Sequence, residues 1–271
     1  MPQAAFGVAE KTTSYRSTTR MKQTWNLTQG LTLRQAALIA GFGYLLSPVG
    51  YAESNYPKLV IAGNIEQTIE NIAVHRGKFA VIIMCYLICF VEDVIIAWAL
   101  YYLLAPVNRA LSMLTAWFRL IYTAMALYAV MNLATVFRVV TTPDFQTLFG
   151  SSALQAQVRL LLSTFRYDWS LSLLVFGVHL VLLGYLIYRS GYVPWIIGIL
   201  LVIDGFAWIV DSLQAYFYPD ANLKYLFVAF LGELVFMLWL LIRGWTIREP
   251  QRTSLLAPSS DIAPDALIPK A

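Results

Sequence analysis

Cysteine, histidine and charge are all scarce in this chain of 271 residues. The two cysteines, Cys85 and Cys89, lie four apart on one helical face, which is neither a C-x-x-C redox pair nor a zinc ligand set. Their expected role is to pack as small apolar side chains. With only His75 and His179 present, a histidine-rich metal site and a bis-histidine haem are not expected, and no cofactor is. Charged residues make up 13% of the chain, against about 25% in an ordinary soluble domain. No polar segment between the apolar runs is long enough to bury a core, which excludes a large soluble domain. The signatures G-x-S-x-G, H-E-x-x-H, the P-loop and D-D-x-x-D are also absent. The net charge of +4 comes from Lys and Arg flanking apolar runs, so nucleic acid is not an expected partner.

What the chain has is hydrophobic length: 59% of it is hydrophobic. The run Ile82–Leu104 is apolar almost throughout, and about 20 helical residues cross the ~30 Å hydrocarbon core. Further spans are expected at about Gln35–Ala52, Ala110–Val136, Trp169–Tyr188, Trp195–Tyr216 and Tyr225–Trp245. The first is the weakest, carrying Gly41, Gly43, Pro48 and Gly50, and a signal peptide is its rival reading. Tight joints fall at Ala105–Arg109, with Pro106 suited to a helix start, and at Arg189–Pro194, where Gly191 ends one helix and Pro194 begins the next. Gly177 and Gly184, like Gly198 and Gly205, are seven apart and suggest close helix crossings. In 53–78 the residues Ile61, Ile65, Ile69 and Ile72 recur at helical spacing, and in 137–168 so do apolar residues of LQAQVRLLLSTF; each loop is expected to hold an amphipathic surface helix.

The fold class is therefore all-α: a polytopic bundle of six transmembrane helices in residues 34–245. A basic tail, 1–33, and a proline-containing tail, 246–271, are read as disordered, with Met21 as an alternative start. Eleven Lys and Arg fall on the side of the termini and seven on the other, with Arg119 inside a span, so both termini are expected in the cytoplasm. The lipid bilayer is the one certain partner, and oligomeric state is not readable.

Ionisable residues inside spans are costly and tend to mark ligand, ion or proton paths. Here they are Glu92, Asp93, Arg119, His179, Asp204, Asp211 and Glu233. Five carboxylates against one guanidinium and one imidazole are too negative for a dry interior, so protons, water or a cation must share the site. Asp93 and Arg119 are expected to pair. The leading reading is a membrane protein that binds or moves a small ligand, cation or proton. Its alternatives are an intramembrane enzyme on a lipid or isoprenoid, using a protonated carboxylate, and a scaffold whose polar residues only fix helix packing.

The stretches LYYLLAPVNRALSMLTAWFRLIY and FGVHLVLLGYLIYRSGYVPWIIGILL, with Asp211-Ser212 and GELVFMLWLLIRG from Gly232, resemble a bacterial multi-pass family. It is catalogued as domain of unknown function 4386. The resemblance spans roughly Arg34–Gly244 and implies a six-helix bacterial inner-membrane protein with no established activity. Asp93, Arg119, Asp168, His179, Asp211 and Glu233 match its pattern. Asp204 and Trp195 depart from it, which ranks Asp204 below the other site candidates.

Overall fold

Every regular element in the described residues is helical. The computed structural model describes residues 31–217 and 231–247. Both predicted tails (up to 30 and from 248), and the start of the predicted sixth span, lie outside them. The helices are α1 (Leu33–Leu46), α2 (Val49–Leu59), α3 (Ile65–Val74), α4 (Arg76–Leu104), α5 (Arg109–Thr141), α6 (Pro143–Ser190), α7 (Trp195–Phe217) and α8 (Leu231–Arg243), followed by a 3-10 turn, Gly244–Thr246.

Local chemistry sets the boundaries. Thr32 and Gln35 form a capping box at the start of α1, each side chain bonding the other's backbone N–H. Asn64 and Asn108 cap α3 and α5 by accepting from the amides of Gln67 and Leu111. Helix α1 stops at Ser47, which is extended as the residue before a proline prefers to be. Gly191 takes the left-handed conformation that ends α6, and α7 begins right after Pro194, as the joint predicted.

Among the described residues four helices are long and apolar enough to cross a membrane: Arg76–Leu104, Arg109–Thr141, Gly150–Ser190 and Trp195–Gln214. The chain is thus a polytopic all-α membrane protein. On α4 the residues Val81, Met84, Ile88, Val91, Ile95 and Trp98 form an exposed apolar stripe at alternating steps of three and four, which suits acyl chains and not water. Two expectations change in detail. The run predicted as the first span is broken at Pro48, and α1 alone, with 14 residues, reaches only ~21 Å. The segment LQAQVRLLLSTF is no separate surface helix. It continues into the fourth span as one 41-residue helix from Gly150, ~60 Å long, because nothing in 151–190 breaks it. The other loop does hold a short amphipathic helix, α3, whose Ile72 is buried.

Two hydrophobic cores fill the bundle. One, at the end of the tight joints, joins α1, the last turns of α4, the second half of α6, α7 and α8 around Leu103, Leu183 and Phe236. The Tyr192 hydroxyl donates to the Leu103 carbonyl and ties the two joints together. The Arg34 Nε donates to the Ile247 carbonyl at 2.9 Å, so the start of α1 and the chain after α8 lie side by side. The other core is a cap made by α2, α3, the first turns of α4, the end of α5 and the first half of α6, around Phe79, Tyr86, Leu133 and Phe165. Along the first core α6 and α7 touch backbone to backbone. A Cβ on Gly177 would lie 2.6 Å from the Gly205 carbonyl oxygen, and one on Gly184 would lie 2.5 Å from that of Gly198. Such contacts are open only to glycine.

Candidate functional site

Arg119 sits on α5 at the seam between the two cores, and its exposure is only 3%. Its Nε and Nη2 both donate to Asp93 Oδ1 on α4, at 3.0 and 2.6 Å. This is the sole ion pair among the described residues. Nη1 donates to the Tyr44 hydroxyl on α1 at 2.8 Å and lies 3.3 Å from His179 Nε2 on α6. His179 Nδ1 is 2.9 Å from the Thr115 carbonyl oxygen, an acceptor only. A neutral imidazole with its proton on Nδ1 satisfies both contacts, donating to Thr115 and accepting from Arg119. The guanidinium is also flanked by rings, 5.0 Å from the Tyr44 centroid and 5.6 Å from that of Phe176. Four helices are thereby pinned at one level of the bilayer.

Beside this network is a cavity of about 580 Å³, within the usual range for small-ligand sites. Its polar wall holds Glu53, Glu92, Asp93, Arg119 and Glu233. Its aromatic wall holds Tyr44, Tyr122, Trp169, Phe176 and Trp208. Asp93 is neutralised by Arg119. Glu53 accepts from the Tyr86 hydroxyl at 2.9 Å, and among the described residues no Lys or Arg approaches Glu53, Glu92 or Glu233 within ion-pair distance. Glu92 Oε2 is buried with no hydrogen-bond partner among the described residues.

Of the seven residues expected to form a polar centre, Glu92, Asp93, Arg119 and Glu233 meet at this cavity, and His179 supports it through Arg119. Asp204 is fully buried behind it on α7. One of its oxygens accepts from the Glu233 backbone N–H at 3.1 Å, and the other has no partner among the described residues. Gly232 makes room for it, since a Cβ there would come within 3.0 Å of the Asp204 carboxylate. Asp211, two turns further along α7, does not line the cavity. Asp168 stands apart as well, 3.5 Å from Asn132. Sequence reading missed Tyr44 and Glu53: the first looked like one aromatic among many, and the second lay in a loop. No group of three His, Cys, Asp or Glu among the described residues could hold a metal ion.

A second cavity of about 420 Å³ lies in the cap, where the turn between α2 and α3 faces Arg159 and Arg166 of α6. No carboxylate lines it. The two cavities have opposite charge.

Long apolar helices around a buried ion pair define a polytopic α-helical membrane protein with a polar interior. Comparison with known proteins then places it more narrowly. Residues 37–244 match the family described as Domain of unknown function (DUF4386), and the chain belongs to that family. A protein of Archaeoglobus fulgidus, described as an uncharacterized protein, is 31% identical over 189 residues, covering 69% of this chain and 91% of the relative. That relative is archaeal, so a bacterial restriction does not follow. No solved structure matches the chain.

Proposed function

We propose that the central cavity binds a small organic cation, and that the protein recognises or moves such a ligand within the bilayer. The observation behind this is the pairing of charge with rings: four carboxylates and five aromatic side chains face one space, and among the described residues only Asp93 is within ion-pair distance of a cationic side chain. Carboxylates supply the counter-charge that an amine or quaternary ammonium needs, and aromatic faces attract such ions by about 0.5–2 kcal/mol each. Glu92 and Glu233 are the binding carboxylates, with Glu53 at the cap end of the cavity. Asp93, Arg119 and His179 position the wall. Asp204 holds the backbone of α8 in place, and Asp211 serves outside this cavity.

The bundle in this reading has six passages: α1, continued past Pro48 by α2, and the predicted sixth span, of which α8 is the described part, complete the four long helices. The Arg34 to Ile247 bond supports it, since an even number of passages brings both ends of the membrane region to one face. The excess of Lys and Arg on that face favours the cytoplasm, and hence a cytoplasmic membrane with both termini inside.

The test is calorimetric titration of the purified protein with tetramethylammonium. The wild type is expected to bind, and Glu233→Gln to weaken binding by roughly tenfold, the loss of about 1.4 kcal/mol, with little change in melting temperature. An absence of binding by the wild type, with Glu233→Gln only melting earlier, would replace this reading with a scaffold held by a structural polar network.

A further inference from the structure

A groove of about 360 Å³ runs between α1 and α4 on their bilayer side. Leu38, Phe42 and Leu46 of α1 line one wall, and Ile95 of α4 the other. Phe42 and Leu46 are exposed, and in a membrane that means exposed to acyl chains. At Gly43 the two helices approach so closely that a Cβ would lie 2.6 Å from Ile96 Cγ1. One polar side chain interrupts this apolar lining. It is Glu92, and Glu92 lines the central cavity as well. A single carboxylate therefore stands between the bilayer and the polar interior, with Oε2 buried and unbonded among the described residues. Glu92 itself is part-buried beside Ser47, and a cationic donor between groove and cavity gives Oε2 the partner it lacks.

We propose that the ligand is a single-chain amphiphile with a cationic nitrogen head, which enters sideways from the bilayer. Its head lies between Glu92 and the aromatic wall of the central cavity, and its alkyl chain lies in the groove between α1 and α4. This rests on the cation-binding reading of the central cavity. The groove supplies what that cavity lacks: an apolar path that ends on a carboxylate. An anionic head such as a phosphate would meet Glu92, Asp93, Glu53 and Glu233 together and is excluded by like charge.

The experiment titrates the full chain, in a neutral polyoxyethylene detergent, with tetramethylammonium, dodecyltrimethylammonium and dodecyl phosphate, read by native mass spectrometry. Leu46→Trp and Ile95→Trp fill the groove from opposite walls, and both positions are exposed, so either variant serves if the other fails to fold. The expected result is that each weakens dodecyltrimethylammonium by roughly tenfold or more and leaves tetramethylammonium within about twofold. Glu92→Gln weakens both ammonium ions. If neither tryptophan variant weakens the long-chain ion, the groove assignment falls while the cation site stands. Equal binding of dodecyl phosphate overturns the choice of head charge. If neither ammonium ion binds the wild type, the cation reading fails and this inference goes with it.

Discussion

The two ends of the bundle are held together by different means. Toward the tight joints, α6 and α7 meet at glycine steps, with backbone against backbone and no side chain between. In the cap, large side chains from α2, α4, α5 and α6 interlock: Tyr86 lies 5.1 Å from Trp169 and 6.2 Å from Phe165, ring centre to ring centre. The surroundings account for the contrast. Within lipid there is no hydrophobic drive between helices, so association depends on close packing, which small residues allow. Part of the cap lies where α6 extends ~30 Å past the thickness of the hydrocarbon core, and there burial from water can work. The same division separates the cavities, acidic and aromatic in the centre, basic in the cap.

The sharpest way to break the comparison is to put a side chain into the glycine contact. Gly184→Leu is expected to cost more than about 4 kcal/mol, because backbone and not a flexible side chain stands in the way. Size-exclusion chromatography after detergent extraction should show aggregate in place of a single species; a sharp native peak would mean that the helices can separate without loss. Arg119→Ala at the seam strands Asp93 and unties Tyr44 and His179, and should cost about 3–5 kcal/mol in melting experiments. Adding Asp93→Leu to it should restore part of that loss, since an unpaired buried carboxylate is the larger penalty. The smallest effect belongs to the cap. Tyr86→Phe keeps the ring packing and removes only the bond to the exposed Glu53, so a loss near 1 kcal/mol is expected. A larger fall in melting temperature would show that the cap depends on polar contacts as much as on rings.

Much of this was legible along the chain, for local reasons. The apolar runs, Pro194 at a helix start and Gly191 at a helix end each act within a few residues of themselves, whereas Pro106, expected at a helix start, lies in the turn before Asn108 caps α5. The seven-residue glycine spacing was readable because α6 and α7 are antiparallel neighbours across a short joint, so Gly177 meets Gly205 and Gly184 meets Gly198. The pairing of Asp93 with Arg119 also followed, since an unpaired arginine inside a span has few partners to choose from. The continuity of α6 through LQAQVRLLLSTF was not visible: its amphipathic pattern fits a surface helix and an extended one equally, and packing against the cap core decides. Nor was the separation of Asp211 from the cavity, although it shares a helical face with Asp204; two turns of α7, ~10 Å, remove it from the Arg119 level.

By itself the sequence determined that the chain is a helical membrane protein with buried charge, because bilayer thickness imposes run lengths and lipid forbids unpaired polar groups at random. Only the tertiary structure decided which carboxylates share a space with Arg119 and which do not, and that Tyr44 and Glu53 join them. The physical reason is that apolar helices look alike along their length, whereas the neighbours of a side chain depend on how each helix is rotated and how far it slides against the next.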